Sequence, residues 1–512
     1  MEIFGLVIAI IFGLGALGTF GYSIYLSVKT NKDNKIIAQN YGVIGKKQAI
    51  IAAIFAGLLL ICMIGLRLTI NQDLKALEVI ALVFGGLLTG YSLCLGVNYF
   101  ILHYYGKVTD KQVDKWFFRA ICIAAPLLLF SAFLLMDAFA EYWQYPLVNG
   151  INFESGLTHP GTHPHIAWYA LCILSGAVFV YILCDHKFYI QYGKHGILES
   201  TFLVAFPAGI IGARLFYVIG QWESEFAAHP EKIIQIWNGG LTVLGGAFMG
   251  VVCGVAWYLW RNKKYNIWLA IDIIVPTILI AQAIGRWGNF FNCEVHGLES
   301  PEQYWAWLPT VIFKNIHYGL ANGTPASEGM VYVPLFLIEG IANLFGYFLI
   351  AHLFGIKWRK YTQIGDLGFG YFIWYGLVRA ILEPLRHANY IMTDLWSWYW
   401  GLLFIVGGVL AIVLNHVIRL IIDTKKGILL AGHFNKKKAI IWGAGVLALA
   451  IAIGVVGLIF MLNSDYKLVI GLSYFNIAIL LYVIAFSILL GLSIPVIKYV
   501  TCVKQERKVV NG

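Results

Sequence analysis

Hydrophobic and polar positions alternate in long blocks along this chain of 512 residues. Apolar runs of about 20 residues, the length that crosses a lipid bilayer as a helix, recur between short polar loops. The pattern predicts an all-α polytopic membrane protein with about thirteen transmembrane helices. The predicted spans are residues 3–27, 48–66, 78–102, 118–140, 167–184, 200–220, 241–260, 267–290, 333–354, 367–386, 395–420, 439–462 and 469–498.

The loops between these spans alternate in charge. The loops rich in Lys and Arg are 28–47, 103–117, 185–199, 261–266, 355–366 and 421–438. The intervening loops carry few basic residues, and residues 141–166 carry none. Because basic loops stay in the cytoplasm, the alternation predicts an N-terminus outside the cell and a cytoplasmic C-terminal tail.

The composition supports a membrane protein and excludes several other classes. Hydrophobic residues make up 60% of the chain and charged residues only 12%, about half the charged share of soluble proteins. The net charge of +10 falls in the short loops, which favours topology signals and contact with membrane lipids over nucleic-acid binding. The eight cysteines lie mostly in apolar runs without a CxxC pair, so we expect neither a disulfide framework nor a zinc site. The N-terminus resembles a retained first span rather than a cleaved signal.

A first group of polar residues interrupts the predicted span at 367–386. Arg379, Glu383 and Arg386 are four and three positions apart, and Tyr375 lies four positions before Arg379, so all four share one helix face. A charge inside the bilayer costs about 2.5–3.5 kcal/mol and therefore faces a partner or a polar cavity. A salt bridge from Arg379 to Glu383 that holds the bundle together is one interpretation. The second arginine, however, leaves a positive charge that attracts an anion. Pro384 is predicted to end the helix.

A second group ends the predicted span at 267–290, in the sequence AIGRWGNFFNCEVHG. Arg286 and Asn289 are three positions apart near the outward end of the helix, and Asn292 and Glu294 follow as the chain leaves it. Asp272 lies about four turns earlier, where we expect a capped or paired structural carboxylate.

A third group surrounds the sequence NGGLTVLGG at 238–246. The backbone N–H groups at Gly239 and Gly240 suit an anion. The glycines that continue at four-residue spacing, Gly246, Gly250 and Gly254, predict a close-packed helix interface instead.

Four arginines in predicted spans indicate a buried anionic ligand: Arg214, Arg286, Arg379 and Arg386. A guanidinium group offers paired donors on a planar fork that matches phosphate. A phosphate reached from within the bilayer suggests a phospholipid.

The segment GRWGNFFNCEVHG resembles the signature of the prolipoprotein diacylglyceryl transferase family. Four further segments resemble the family in the same order: AWYAL at 167–171, GARLFYV at 212–218, NGGLTVLGG at 238–246 and YGLVRAILEPLR at 375–386. The resemblance covers about residues 160–420. It therefore predicts a transferase core at 151–425 with about seven spans, an added N-terminal region at 1–150 with about four, and an added C-terminal region at 426–512 with about two.

The resemblance implies a reaction and its partners. The family transfers the diacylglyceryl group of phosphatidylglycerol to the thiol of a lipobox cysteine in a prolipoprotein, which forms a thioether and releases glycerol 1-phosphate. The implied setting is a bacterial cell membrane. No cofactor or metal is implied.

The resemblance also implies roles for individual residues. Arg286 binds the lipid headgroup, in a pocket shaped by Asn289, Asn292, Glu294 and Gly297. Arg379 stabilises the departing phosphate with the help of Tyr375, while Glu383 and Arg386 hold Arg379 in position. Tyr169 lies near the lipid, and Glu339 is a carboxylate on the fifth helix of the core.

One position departs from the family pattern. Leu244 stands where many members have a histidine that has been considered a base, so the group that accepts the thiol proton is open. His296 and His387 are candidates, although each also fits a polar residue at the membrane interface. Two other functions remain as alternatives: a transporter or flippase for an anionic lipid or metabolite, and an inactive membrane scaffold of the same family.

Overall fold

The computed structural model describes residues 150–152, 165–194, 196–235, 240–319, 324–387, 396–426, 436–466 and 473–511. The four spans predicted between residues 3 and 140 lie outside these residues. The chain divides into two compact units, Met1–Leu147 with Pro301–His317, and Val148–Ser300 with Tyr318–Gly512. The second unit contains the long helices described below.

The described residues are mostly helical. The α-helices are α1 (Trp168–Tyr192), α2 (Glu199–Gly220), α3 (Val243–Arg261), α4 (Ile267–Phe291), α5 (Thr310–Asn315), α6 (Leu335–Tyr347), α7 (Asp366–Leu382), α8 (Trp396–Lys425), α9 (Lys436–Leu462) and α10 (Tyr474–Asn511). A π-helical segment, Phe348–Lys357, continues α6. A 3₁₀ turn, Glu383–Leu385, follows α7.

Short strands lie in the connections. They are β1 (Gly150–Asn152), β2 (His165–Ala167), β3 (Glu299–Pro301), β4 (Tyr318–Gly319), β5 (Thr324–Pro325) and β6 (Met330–Tyr332). Strands β1 and β2 pair antiparallel, as do β4 and β5. Within the other unit, the segment Pro301–His317 contains α5, and the indole Nε1 of Trp307 donates to the carbonyl oxygen of Tyr304.

Among the described residues, seven helices are long and apolar enough to cross a membrane. They are Tyr169–Tyr192, Glu199–Gly220, Ile267–Phe291, Leu335–Lys357, Trp398–Lys425, Ile440–Leu462 and Tyr474–Val503. The remaining two spans predicted in this part of the chain, 241–260 and 367–386, correspond to the helices α3 and α7. This confirms a mostly helical, multi-pass membrane protein.

Helix α4 carries the first half of the site and packs against α1, α6 and α7. It begins where Asn266 accepts hydrogen bonds from the backbone N–H groups of Trp268 and Leu269, at 2.9 and 3.4 Å, which caps the helix. At the same end, the carboxylate of Asp272 accepts hydrogen bonds from the N–H groups of Gly365, Leu367 and Gly368 at 2.8–3.2 Å. The predicted structural role of Asp272 is confirmed, because its carboxylate caps the start of α7.

Small residues allow the helices to approach closely, as expected in a bilayer. On α3, Gly246 and Gly250 pack against the backbone of Gly209 in α2, and Gly254 packs against Ala205. The prediction of a close-packed interface at these glycines is confirmed. A similar contact between Gly376 and Gly401 joins α7 to α8.

The C-terminal helices pack onto the same bundle. Helix α10 contacts α9 and α8. Ile479, Leu480 and Val483 of α10 pack on a buried cluster that contains Ala380 and Trp398. The indole Nε1 of Trp398 donates to the carbonyl oxygen of Ala380 at 3.1 Å. Helix α10 therefore supports the wall from which the neighbouring Arg379 projects.

Candidate active site

The turn after α4 folds back on the last turn of the helix. Arg286 donates to the amide oxygen of Asn289 at 3.3 Å. The amide nitrogens of Asn289 and Asn292 donate to Oε1 of Glu294 at 3.3 and 3.2 Å. The four polar residues predicted from this stretch therefore form one hydrogen-bonded group, in which two amides hold the carboxylate of Glu294.

The backbone of this turn adopts conformations that side chains disfavour. Cys293 and Val295, on either side of Glu294, have φ values of 50° and 57°. Left-handed backbone is uncommon for non-glycine residues and is an outlier for a β-branched one such as Val295. Strain of this kind, of order 1–3 kcal/mol per residue, often accompanies functional sites. Here the two left-handed conformations place Glu294 against Asn289 and Asn292.

Gly297 fastens the turn to the segment after α7. Its N–H donates to the carbonyl oxygen of Val333 at 2.9 Å, and the next N–H, of Leu298, donates to that of Leu385 at 3.2 Å. Gly297 also forms an antiparallel bridge with Arg386. A Cβ atom at Gly297 would lie 2.7 Å from Cβ of Val333 and 3.2 Å from the carbonyl oxygen of Leu385. Only glycine fits this approach without a shift of the backbone.

Glu339 of α6 joins the two halves of the site. It is 4% exposed. One carboxylate oxygen accepts a short hydrogen bond from Arg286, and the other lies 3.6 Å from Nη2 of Arg386. A single buried carboxylate therefore connects the arginine of α4 to the arginine that follows α7.

The end of α7 supplies the remaining charges. The α-helix ends at Leu382, and the chain continues through the 3₁₀ turn that contains Pro384; the prediction that Pro384 ends the helix is confirmed. Arg379 donates to Oε2 of Glu383 at 3.0 Å and to the hydroxyl oxygen of Tyr375 at 3.2 Å. Nε of Arg386 lies 3.2 Å from the same Oε2. The predicted salt bridge between Arg379 and Glu383 is present.

The network carries one excess positive charge in its interior. It contains the guanidinium groups of Arg286, Arg379 and Arg386 and the buried carboxylates of Glu339 and Glu383. In the described part of the chain, Nε and Nη2 of Arg386 form no hydrogen bond, although both lie near carboxylates. Burial raises the pKa of Glu294 in the turn above its usual value, and this carboxylate lies outside the ion pairs, because it reaches Arg286 only through Asn289. The arrangement suits a monoanion such as a phosphodiester.

Tyr169 lies beside this network. Its ring packs over Gly288 of α4 so closely that a Cβ atom there would overlap the ring. Arg286 and Glu294 both lie within electrostatic range of its hydroxyl group. Tyr169, predicted to lie near the lipid, is therefore next to the residues predicted to bind the headgroup.

Arg214 has a different setting from the other three arginines. It is 8% exposed, and it donates to the carbonyl oxygens of Ile233 and Gly240 at 2.9 and 3.0 Å, and to that of Lys232. Its guanidinium group also lies over the ring of Phe226. These bonds fasten the loop before α3 to α2, so a role of Arg214 toward a lipid phosphate stays a prediction.

The glycine pair before α3 is only partly described. Gly239 lies outside the described residues, and so does the side chain of Leu244. Gly240 has a left-handed backbone with φ of 69° and sits against Tyr217 and Arg214. This contact explains the glycine at that position. Its predicted role toward an anion is not tested by the contact.

His296 is a poor candidate for the base. Its Nδ1 donates to the carbonyl oxygen of Gly297 at 3.0 Å, and its ring packs against Tyr332 with centroids 4.0 Å apart. Burial lowers the pKa of His296 to about 4. A group with this pKa accepts a proton only weakly near neutral pH. Among the described residues, no three His, Cys, Asp or Glu side chains converge as metal ligands would.

Three polar residues near the network are not among the site residues predicted from the sequence. The amide nitrogen of Gln282 donates to the hydroxyl oxygen of Tyr371 at 3.1 Å, and Asn343 is 1% exposed. Gln282 lies four residues before Arg286, Asn343 four after Glu339 and Tyr371 four before Tyr375. This shared four-residue spacing is the signal that identifies them.

Comparison with known proteins agrees with the resemblance in the sequence. The family model described as prolipoprotein diacylglyceryl transferase matches residues 157–416. Relatives named phosphatidylglycerol–prolipoprotein diacylglyceryl transferase, from Streptococcus pyogenes serotype M5 (strain Manfredo) and serotype M49 (strain NZ131), are each 35% identical to the chain over 256 residues. The alignments cover 48% of this chain and 90% of each relative. The chain therefore belongs to the prolipoprotein diacylglyceryl transferase family.

Proposed function

We propose that this protein is a phosphatidylglycerol–prolipoprotein diacylglyceryl transferase. The family match and the names of the relatives support the activity. The observation that carries it in this chain is the largely buried ion-pair network that runs from Arg379 through Glu383, Arg386 and Glu339 to Arg286, in which three guanidinium groups face two carboxylates. The substrates are phosphatidylglycerol and a prolipoprotein with a lipobox cysteine.

In this proposal the arginines bind the lipid phosphate. Arg286 and Arg386 share Glu339, which holds both guanidinium groups on one side of α6. A phosphodiester with one negative charge balances the network and accepts the donors of Arg386 that make no hydrogen bond within the described residues. Asn289, Asn292 and Glu294 fix the orientation of Arg286, and Tyr169 covers the same side.

The chemical step replaces a carbon–oxygen bond by a carbon–sulfur bond. The thiolate of the lipobox cysteine attacks the glyceryl carbon that carries the phosphate, the bond from that carbon to oxygen breaks, and glycerol 1-phosphate leaves with the electron pair. The thiol proton passes to an acceptor. The identity of this acceptor is open, because Leu244 stands where many members of the family have a histidine. Arg379 faces the growing negative charge, and preorganised donors of this kind usually lower the barrier of an enzymatic reaction more than any other single effect.

Neighbouring residues hold Arg379 for this step. Glu383 fixes one end of its guanidinium group, and the hydroxyl group of Tyr375 accepts from the other. A positive field near the thiol also lowers its pKa from about 8.5 and raises the thiolate fraction. Arg379 and Arg386 supply this field in the proposed complex.

The membrane topology forms part of the proposal. We infer about thirteen spans, with the N-terminus outside and the C-terminus in the cytoplasm of a bacterial cell. We place the transferase core at residues 151–425, and the family match at residues 157–416 supports this proposal. Residues 1–150 add about four spans and residues 426–512 about two. Helices α9 and α10 belong to the second addition.

A transfer assay tests the function directly. Membranes that contain the whole chain are incubated with phosphatidylglycerol labelled in its acyl chains and with a lipobox peptide. The proposal predicts a peptide heavier by one diacylglyceryl group, together with released glycerol phosphate. An unchanged peptide with lipid moved between leaflets would instead indicate a flippase. An unchanged peptide with no lipid movement would indicate an inactive scaffold. A chain without Arg379, Arg379→Ala, serves as the negative control.

A further inference from the structure

A second polar layer lies one helical turn from the guanidinium groups. It consists of Gln282 on α4, Asn343 on α6 and Tyr371 on α7. The proposed function assigns no role to these residues. Polar side chains inside a membrane protein are costly and usually mark a functional contact.

Helix contacts put Gln282 and Asn343 at the same depth. Phe336 of α6 packs on Trp287 of α4, with ring centroids 5.3 Å apart. One turn further along α6, Glu339 pairs with Arg286, and Gly340 faces the carbonyl oxygen of Ala283. The two helices are therefore antiparallel. The next turn of α6 carries Asn343, and the matching turn of α4 carries Gln282.

The third member of the layer comes from α7. The hydroxyl oxygen of Tyr371 accepts from the amide nitrogen of Gln282 at 3.1 Å. The ring of Tyr371 stacks on that of Tyr375, with centroids 5.9 Å apart, and the hydroxyl of Tyr375 accepts from Arg379. Gln282 and Tyr371 are thus connected to Arg379 through Tyr375, while Asn343 is placed at this depth by its position on α6.

Much of the hydrogen-bonding capacity of this layer is unused within the described residues. Neither the amide nitrogen nor the amide oxygen of Asn343 has a hydrogen-bond partner there, and neither does the amide oxygen of Gln282. Asn343 is 1% exposed. Buried amides are almost always paired, and a leucine would fill this apolar interior without a penalty. The two amides together offer donors and acceptors, the combination that a hydroxyl group requires.

We propose that Gln282, Asn343 and Tyr371 bind the two hydroxyl groups of the glycerol headgroup of phosphatidylglycerol. This inference rests on the proposed function, because it requires the lipid phosphate at the arginines. Four residues of α-helix rise about 6 Å, a step that a three-carbon headgroup and one hydrogen bond span together. The layer selects the diol, whereas the arginines recognise only the phosphate. Ordered water is the alternative occupant of this layer, because its O–H groups would satisfy the same side chains.

A comparison of two lipids distinguishes a layer that binds the lipid diol from a layer that binds water. Phosphatidylpropanol has the charge, the acyl chains and the three-carbon headgroup of phosphatidylglycerol but neither hydroxyl group. Binding of each lipid to the purified whole chain is measured by native mass spectrometry in detergent. We expect the wild type to prefer phosphatidylglycerol by about tenfold or more, because a site built for a hydroxyl group rejects an analogue without it.

Substitutions then test the residues. Asn343→Leu is expected to reduce this preference to below about threefold while it leaves the affinity for phosphatidylpropanol unchanged. Tyr371→Phe removes one hydroxyl group with little loss of packing, and it is expected to reduce the preference by a smaller factor. Thr277→Val is the matched control on α4. The hydroxyl of Thr277, which is buried, already donates to the carbonyl oxygen of Ile274 at 2.6 Å, so this variant should keep the preference of the wild type.

Two outcomes overturn the inference. The first is a wild type that binds both lipids equally, which would assign the layer to water. The second is an undiminished preference in both Asn343→Leu and Tyr371→Phe. Failure of the proposed function is a separate result, because a protein that prefers phosphatidylglycerol but modifies no lipobox peptide retains the diol site without the transferase activity.

Discussion

Arg286 of α4 and the buried Glu339 of α6 form an ion pair across 53 positions of sequence. The same carboxylate reaches Arg386 at 3.6 Å. The pair therefore joins the two arginine-containing motifs of the sequence, which lie on different helices. The shared carboxylate holds α4, α6 and the segment after α7 together, and it places Arg286 and Arg386 in one site.

The first prediction concerns Glu339. Glu339→Ala leaves Arg286 and Arg386 without their shared carboxylate, and removal of one partner from a buried pair costs about 3–5 kcal/mol. We expect a clearly lower melting temperature and a loss of transfer. Glu231→Ala, at an exposed carboxylate, is the control. A melting temperature equal to that of the wild type would show that the pair is not formed.

The second prediction concerns Arg379. Arg379→Lys keeps the charge but loses the fork that reaches both Glu383 and Tyr375. Transfer should fall by about 10²–10³-fold, as for the loss of one preorganised donor, while the protein still inserts into the membrane. Arg261→Lys, on an exposed residue at the end of α3, should keep full activity. Full turnover of Arg379→Lys would remove Arg379 from the mechanism.

The third prediction concerns the turn at Gly297. Gly297→Ala would force a Cβ atom against Val333 and the carbonyl oxygen of Leu385. The antiparallel bridge to Arg386 should then open, with a loss of about 1–3 kcal/mol typical of overpacking and with reduced transfer. Gly443→Ala is the control, because no atom lies within 4 Å of its Cβ position among the described residues. Unchanged thermal unfolding of Gly297→Ala would contradict the tight approach.

Cys293 gives a fourth prediction within the same turn. It is a buried thiol next to Glu294, and we interpret it as a packing residue. Cys293→Ala should therefore retain most of the transfer activity. Complete loss of activity in a folded Cys293→Ala variant would indicate a covalent lipid intermediate on this thiol, and the direct displacement described above would be wrong.

The fifth prediction concerns pH. Burial lowers the pKa of His296 from 6.5 to about 4, and His387 and Glu299 are its ionisable neighbours. Between these values the unfolded chain binds a proton that the folded chain excludes. The stability due to neutral His296 is therefore complete above about pH 6.5 and is lost as the pH falls toward 4.

Thermal unfolding between pH 4 and 7.5 measures this effect. His296→Asn keeps an N–H donor for the carbonyl oxygen of Gly297 but does not titrate. Its free energy of unfolding should depend less on pH than that of the wild type, with a difference of order 2 kcal/mol across this window. His229→Asn, at an exposed histidine, should follow the wild type. Identical slopes for the wild type and His296→Asn would contradict the burial of His296.

The sequence predicts the helices well where their apolar length decides the outcome. The predicted spans 200–220 and 267–290 agree with α2 and α4 within one or two residues, because membrane helices are bounded by abrupt changes of polarity. The four-residue spacing of Tyr375, Arg379 and Glu383 also predicts their contacts correctly. The chain leaves the α-helix before Glu383, but the 3₁₀ turn keeps the side chains close enough to bond.

Other relationships depend on the packing of helices and cannot be read from one segment. The spacing along α2 does not reveal that the donors of Arg214 reach the carbonyl groups of a following loop. Similarly, Asn343 and Gln282 are single polar residues in separate apolar helices. Their common depth follows only from the antiparallel contact of α4 and α6.

The central claim is that Arg286, Arg379 and Arg386 bind one lipid phosphate. The most direct measurement is an experimental structure of the whole chain with phosphatidylglycerol, in which the position of the phosphorus atom is determined. We predict that the phosphorus lies about 4 Å from the guanidinium carbons of Arg286 and Arg379, the distance of hydrogen-bonded phosphate. A phosphate bound elsewhere, for example at Arg214, with the site between Arg286 and Arg379 closed to the lipid, would contradict it.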